Sequence, residues 1–348
     1  YGWWTHSSIS LGGIFSNDTL LNTLARLQEV GQSSLNYNRS SLREIAVVVD
    51  EESLFLTHCA YSFWGIHREK IHELGRIGTS YDFYLLDDLA NPSMPDYKLY
   101  IFLNAFSLTN EKRSWIERKV KKNRATVVWI YAPGLINEDA SKHVLSPDNM
   151  LSLTGIQFAW EDIDRKTDIK ITDAKHQIAS HLGSGYQFGQ FTSLITTGFS
   201  VIPPDYQPVK PEPVTSYGKL FYVNDPLAIP LGRYTDSDKV AFAVREFPEW
   251  NSIYVGSVAV NSKVLREIAR FAGVHIYNDD DDVTYVNNSY VAIHTAKGGS
   301  RTISLPFKAD AYDVFNNGAV VGDGVNQFTV NIPSYSTNLY RLEKAKNQ

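Results

Sequence analysis

The stretch RATVVWIYAPGLI, residues 124–136, joins a continuous apolar run to a sharp turn. Such a run is typical of a parallel strand that is buried on both faces. In an α/β domain the turn after this kind of strand often carries a nucleophile, at the elbow above the sheet. The turn residues here are Tyr131, Ala132, Pro133 and Gly134, and none is a Cys or a Ser. The sequence therefore predicts an elbow that lacks a nucleophile.

Strand and helix patterns alternate around this stretch. Apolar strands are predicted at residues 44–50, 81–89, 96–108 and 274–277, and helices at residues 61–77, 262–272 and directly after a capping Thr109. This alternation predicts an α/β doubly wound sheet over residues 44–277, with a β-rich insertion at about 155–240. Residues 278–348 contain short alternating segments with Gly and Asn turns, which predict a small antiparallel β-sandwich.

The first part of the chain, residues 1–43, predicts a single βα unit that cannot form a domain alone. A short aromatic strand at residues 1–4 precedes a helix with apolar residues at helical spacing. These are Leu20, Leu21, Leu24, Leu27 and Val30. Because the chain opens on YGWWTHSS without an initiator Met or a signal peptide, we expect a longer protein to precede it.

Composition excludes several classes of function. The 348 residues carry a net charge of −5 and a pI of about 6.0, so no broad basic face is available for nucleic acid. No run of apolar residues is long enough to predict a membrane span. The single Cys59 excludes an internal disulfide and a Cys-based zinc site, and no cofactor is predicted. The many Asn, Ser, Thr and Tyr residues favour an exported bacterial protein over a cytoplasmic one.

Several segments together resemble part of a known enzyme family. IAVVVDEES, LYIFLNAFSLTNEKRSWIERKV and VVWIYAPGLI are similar to the α/β domain that follows the catalytic barrel in family 42 beta-galactosidases. GVHIYNDDDDVTYVNNSYVAIHTAKGGSRTISLP and STNLYRL resemble the C-terminal β-domain of the same enzymes, and the opening segment resembles the last βα unit of their (β/α)8 barrel. The α/β domain of that family is called the trimerisation domain and has a class I glutamine-amidotransferase-like, flavodoxin-like fold.

The resemblance implies that the chain is the C-terminal, non-catalytic portion of a glycoside hydrolase. It implies a homo-oligomer, a trimer by likeness, whose parent enzyme acts on an oligosaccharide or polysaccharide. The two carboxyl groups of glycosidase chemistry would lie on earlier barrel strands that this chain does not contain, so no catalytic residue is predicted here. We therefore expect the chain alone to be inactive.

The resemblance also bears on the elbow. In active class I amidotransferases the turn after this strand carries a nucleophilic Cys, and the matching positions here are Tyr131 and Ala132. Since Cys59 lies far upstream, glutaminase chemistry is excluded unless another residue substitutes. We interpret Tyr131 and Ala132 as degenerate positions of a nucleophile elbow that is retained for packing.

Other candidate sites have a competing structural interpretation. Trp3, Trp4 and His6 are candidate sugar-contacting residues at a barrel strand end, although any of them could line the wall instead. Asp280, Asp281 and Asp282 are weak calcium candidates, and an acidic turn joining two domains is the favoured interpretation. His275 is favoured as a core residue with its hydrogen bonds satisfied.

Two alternative functions remain open at this stage. The chain could be a carbohydrate-binding protein that uses surface aromatic residues such as Trp3, Trp4, Trp64 or Trp160. It could also be a small-molecule hydrolase of the amidotransferase-like fold, whose activity would depend on Cys59.

Overall fold

A computed structural model describes residues 18–55, 69–142, 144–161, 167–190 and 219–344, with the side chains of residues 69–71 left out. Its helices are α1 (Asp18–Ser34), α2 (Glu51–Phe55), α3 (Glu69–Gly75), α4 (Asn110–Val120), α5 (Pro147–Thr154), α6 (Gln177–Ser180) and α7 (Ser262–Phe271), and a 3-10 helix spans Leu86–Ala90. None of the helices in these ranges is long and apolar enough to cross a membrane.

The larger sheet has eleven strands among the described residues. Its strands are β1 (Ile45–Val49), β2 (Asp82–Leu85), β3 (Leu99–Phe102), β5 (Ala125–Ile130), β7 (Phe158–Glu161), β8 (Ile169–Ile171), β9 (Gln187–Phe188), β10 (Leu220–Val223), β11 (Ile229–Tyr234), β12 (Val240–Glu246) and β13 (Trp250–Val255). Two other short strands, β4 (Ser107–Leu108) and β6 (Ile136–Asn137), pair with each other.

Five strands in the order β2-β1-β3-β5-β13 run parallel to one another. Strands β12, β11, β8 and β9 continue the sheet in antiparallel pairing, and β10 joins β12 to β7. All residues of β1, β3 and β5 are buried, as their continuous apolar runs predict. The predicted doubly wound α/β fold is therefore confirmed, and the β-rich segment forms its antiparallel extension.

The C-terminal residues form a small antiparallel sheet, as predicted. Its strands are β14 (Val283–Val286), β15 (Tyr290–Thr295), β16 (Gly299–Asp313), β17 (Ala319–Ile332) and β18 (Ser336–Lys344), in the order β14-β15-β18-β16-β17. Register shifts interrupt the long β16–β17 hairpin after Ser304. Both strands of this hairpin contribute to one core with β15 and β18.

Two strand predictions were wrong in part. The predicted strand at 81–89 ends at Leu85, because the Asp88 carboxylate accepts a hydrogen bond from Leu85 N at 2.9 Å and starts the 3-10 helix. The predicted strand at 96–108 is divided into β3 and β4.

A third predicted strand is absent. Residues 274–277 form no strand in the described chain, since the amides of Tyr277 and Asn278 both donate to the carbonyl of Gly78. In the first and third of these segments, hydrogen bonds to Asp88 and to Gly78 set a backbone path that differs from a strand.

Helix α4 begins where the sequence predicts. The side chain of Thr109 accepts a hydrogen bond from Lys112 N at 3.2 Å and so caps the helix. Apolar Ile116 and Val120 are buried against the sheet.

Replacing Thr109 with Ala should lower the free energy of unfolding by about 1 kcal/mol, because an N-terminal amide of α4 would lose its acceptor. Urea denaturation monitored by circular dichroism measures the change. Thr109→Ser is the matched control and should retain most of the stability. Equal stability of the Ala and Ser variants would contradict the assigned cap.

Candidate functional site

The turn after β5, where the sequence predicts a degenerate nucleophile elbow, has a left-handed backbone at its first residue. Tyr131 has φ of 65°, in a region that bulky residues rarely adopt. Two hydrogen bonds hold it there: Tyr131 N donates to Val255 O at 2.9 Å, and the Tyr254 hydroxyl donates to Tyr131 O at 2.7 Å. The turn leads into the short strand β6 and not directly into a helix. The amide groups of a helix N-terminus, which activate nucleophiles at such elbows, are therefore missing.

The side chain of Tyr131 fills the corner. Its ring makes edge contacts with Phe106 and Phe221, at centroid distances of 6.0 and 5.3 Å. Its hydroxyl donates to Lys219 O at 2.9 Å, and burial raises the pKa of Tyr131. The neighbouring Ala132 is buried as well. At neutral pH the corner therefore holds a protonated, hydrogen-bonded phenol and no reactive group.

A buried ion pair lies at the same carboxyl edge of the parallel sheet. Lys112 Nζ, projecting from α4, lies 2.7 Å from Asp50 Oδ1 and 2.6 Å from Glu52 Oε2. Asp50 follows β1 and is only 1% exposed, whereas the Glu52 side chain is mostly exposed. Burial alone would lower the pKa of Lys112, but the hydrogen bonds and charges of these two carboxylates raise it above its ordinary value. Lys112 is therefore a fixed positive charge.

Ser53 lies beside this pair and superficially resembles an activated serine. Its hydroxyl donates to Asp50 Oδ2 and accepts from the amides of Phe106 and Ser107 at 3.1 and 3.0 Å. Asn104 adds two hydrogen bonds, of 2.8 and 2.7 Å, to the backbone of Asp50. Since Ser53 is fully buried and its hydroxyl is saturated, this network fastens α2 to the loop after β3 and offers no nucleophile.

Comparison with known proteins is informative at the level of structure. No family model matches the sequence, and no curated protein matches it. The beta-galactosidase of Bacillus circulans sp. alkalophilus superimposes with a TM-score of 0.61 at 13% identity, over 92% of this chain and 44% of that one. The chain shares its fold with part of a beta-galactosidase.

Two further beta-galactosidases agree with this result. The enzyme of the Antarctic haloarchaeon Halorubrum lacusprofundi gives a TM-score of 0.54 at 13% identity, over 87% of this chain and 40% of that one. The GH42 beta-galactosidase Gan42B gives 0.50 at 12% identity, over 88% and 41%. The chain thus spans less than half the length of each beta-galactosidase, and the likeness is one of fold.

The four consecutive aspartates at residues 279–282, here called the acidic run, lie between α7 and the C-terminal sheet. Arg301 on β16 binds Asp282 through its Nε and NH2 atoms, and its Nε lies 3.5 Å from Asp280. Asp281 accepts a hydrogen bond from the Ser262 hydroxyl at 2.8 Å and lies 3.5 Å from Arg76. Arginine and serine groups therefore occupy the directions in which these acids would bind a cation. Across the described ranges, no group of three or more His, Cys, Asp or Glu could hold a metal ion.

Arg266 on α7 reinforces this junction. Its buried guanidinium donates to the carbonyls of Ile77 at 3.1 Å, Arg76 at 2.6 Å and Asp280 at 2.9 Å, and also to that of Asp279. Two of the four acceptors follow α3 and two belong to the acidic run. A single side chain thus connects the α/β domain to the segment that enters the C-terminal sheet.

Of the remaining sequence candidates, only Trp160 and His275 lie within the described residues. Trp3, Trp4, His6, Cys59 and Trp64 lie outside the described residues, so their predicted roles stay predictions. Trp160 on β7 is half-buried beneath Lys219, whose Nζ lies 4.5 Å from the ring centroid.

His275 is half-buried and lies 3.0 Å, through Nε2, from the carbonyl oxygen of Ser304. Its ring also makes an edge contact with Tyr277. These contacts agree with a histidine that serves packing.

Sequence reasoning missed the buried ion pair. Lys112 reads as a surface residue in the charged segment TNEKRSWIERKVKKN, and its partner Asp50 is 62 positions away. The sequence did contain one signal: Asp50 directly follows a fully apolar strand. A carboxylate at that position can be buried and then needs a partner.

Proposed function

We propose that the chain is a non-catalytic portion of a beta-galactosidase-like glycoside hydrolase, in which it supports the catalytic barrel and holds subunits together. The fold that it shares with part of three beta-galactosidases supports this role. The filled elbow supports it too, because neither Tyr131 nor Ser53 offers an accessible nucleophile.

The observation that carries the proposal is the exposed apolar face of α1. No residue of this helix is buried, although its leucines recur at helical spacing. Leu21 is 38% exposed and Leu24 is 48% exposed. A helix with such a stripe normally covers its apolar face with another element. We assign that element to the catalytic barrel, of which α1 would be the last helix.

A second apolar surface supports contacts between subunits. Strand β2 lies at the edge of the parallel sheet, and its Phe83 and Leu85 are exposed. An edge strand with exposed apolar side chains is a ready surface for another chain. This surface suits the homo-oligomer, a trimer by resemblance, that the sequence predicts.

The substrate of the whole enzyme would be an oligosaccharide or polysaccharide. Its cleavage needs a pair of carboxyl groups on either side of the glycosidic bond, which the barrel would supply. This chain would contribute the scaffold and no group to the reaction.

Replacing both Leu21 and Leu24 with Glu should weaken binding to the barrel at least about ten-fold, because two apolar side chains would become charges in a buried contact. The assay mixes the purified chain with the separately produced barrel of the same reading frame and measures binding by biolayer interferometry. Val320→Glu, at an exposed apolar position of β17, is the matched control and should bind as the wild type does. A reading frame without a barrel, or equal binding by all three proteins, would overturn the proposal.

A further inference from the structure

A cleft of about 480 Å³ lies where three parts of the described chain meet. Leu27 and Val30 of α1 form one wall, and the residues before β2 form the second. Strands β14 and β15, with the turn between them, form the third. The volume falls within the range of small-molecule sites, roughly 300–1,000 Å³.

Three tyrosines line this cleft. Tyr285 on β14 has 57% of its surface exposed, Tyr81 is half-buried, and Tyr290 is buried. Tyr81 and Tyr285 line the same cleft, and burial, with a smaller contribution from Tyr285, raises the pKa of Tyr81. Rings with a polar edge and an apolar face suit a ligand that has both kinds of surface.

Polar groups converge between the rings. Asp82 Oδ2 accepts from the Ser41 hydroxyl at 2.8 Å and from the Tyr97 hydroxyl at 2.6 Å, which fixes the carboxylate. Asn287 Oδ1 accepts from the amides of Ser289 and Tyr290, both at 2.9 Å. Asp82 Oδ1 and Asn287 Nδ2 make no hydrogen bond to the described residues and are thus an acceptor and a donor for a ligand.

The lining of the cleft has no net charge, and hydrogen bonds connect two of its walls. Its lining has one acid, Asp82, and one base, Arg39, so neither a strong anion nor a strong cation is favoured. Asn288 Nδ2 donates to Ser40 O at 3.0 Å and to Ser40 Oγ at 2.9 Å, which ties the segment after α1 to the C-terminal sheet. Walls that are held apart in advance reduce the entropy lost on binding.

We propose that this cleft binds a neutral carbohydrate of one or two rings, with one sugar face stacked on Tyr285. A pyranose presents C–H groups on its faces and hydroxyl groups around its rim. The tyrosine rings meet the faces, and Asp82 and Asn287 meet the hydroxyls. A charged sugar would find no net opposite charge.

Calorimetric titration of the intact chain with lactose, cellobiose and maltose tests the proposal. We expect at least one of these disaccharides to bind, and Tyr285→Ala to weaken that binding about ten-fold through loss of the stacked ring. Tyr285→Phe keeps the ring and should bind within about three-fold of the wild type. Tyr335→Ala removes a tyrosine that is 84% exposed and does not line the cleft, and it should have no effect.

Two results would overturn the proposal: failure of all three disaccharides to bind the wild type, or equal affinity of the wild type and Tyr285→Ala. Galacturonate is the charged probe, and tighter binding of it than of the neutral sugars would also count against the site. The cleft lies within this chain, and its test uses the intact chain without the barrel. A negative result in the sugar titration would not alter the result of the barrel-binding assay with the Leu21 and Leu24 variant. The two proposals are therefore tested separately.

Discussion

Replacing Lys112 with Met is expected to lower the free energy of unfolding by about 3–5 kcal/mol. Met keeps the aliphatic stem but removes the ammonium group that lies 2.7 Å from Asp50 Oδ1. Asp50 is buried, so its carboxylate would remain in the interior without a counter-charge. The loss reports the cost of stranding that carboxylate, because the complete pair contributes far less than this when both partners are present.

Urea denaturation at neutral pH measures the effect, with Lys122→Met as the matched control. Lys122 lies 3.3 Å from Asp96 in an exposed pair, so its loss should cost less than about 1 kcal/mol. Adding Asp50→Asn to Lys112→Met should restore part of the stability by removing the stranded charge. Similar losses for the Lys112 and Lys122 variants would contradict the buried pair.

The pH dependence follows from the raised pKa of Lys112. A lysine whose pKa is higher in the folded protein stabilises fully below its unfolded pKa of about 10.4, and this stability is lost as pH rises through the folded value. The gap between the wild type and Lys112→Met should therefore stay constant from neutral pH to about pH 10.

The second large effect is expected for Arg301→Met, at about 3–5 kcal/mol. Arg301 binds the buried Asp282 through two of its nitrogens and donates to the Thr295 hydroxyl at 2.9 Å. Its removal would leave the Asp282 carboxylate with uncharged partners, Thr295 and, at 3.4 Å, Asn278. Thermal and urea unfolding would measure the loss, and Asp282→Asn should rescue part of it. A loss below about 1 kcal/mol would place the pair among surface ion pairs.

At acidic pH the free energies of unfolding of the wild type and of Arg301→Met should become more similar. Burial alone would raise the pKa of Asp282, but the hydrogen bonds and charge of Arg301 lower it below its ordinary value. A carboxyl with a lowered pKa contributes stability above its unfolded pKa of about 3.9, and this is lost as pH falls through the folded value. The gap should thus be full at neutral pH and shrink below about pH 4.

The sequence predicted the elements whose signals are local. The apolar runs that form β1 and β5, the Thr109 cap of α4 and the absence of a thiol at the elbow were each readable within a short window. The parallel sheet followed from their order, since alternating strands and helices leave few other arrangements.

Features that depend on distant residues were not readable. The pairing of Lys112 with Asp50 and the four carbonyls around Arg266 join segments that are separated by many residues. The cleft beside Tyr285 needs three parts of the chain to meet, and neither its polar groups nor its tyrosines form a motif along the sequence. A single sequence specifies such sites only through the fold that assembles them.

The guanidinium of Arg266 has a practical consequence for dividing this protein into pieces. A chain that stops before Asp279 loses two of the four carbonyls that accept hydrogen bonds from the buried guanidinium, so two of its N–H donors are left without their acceptors. The separately expressed α/β half would therefore have unsatisfied N–H donors on Arg266 next to its new C-terminus. Anyone expressing the two halves separately should therefore place the boundary after the acidic run, or replace Arg266 together with the cut.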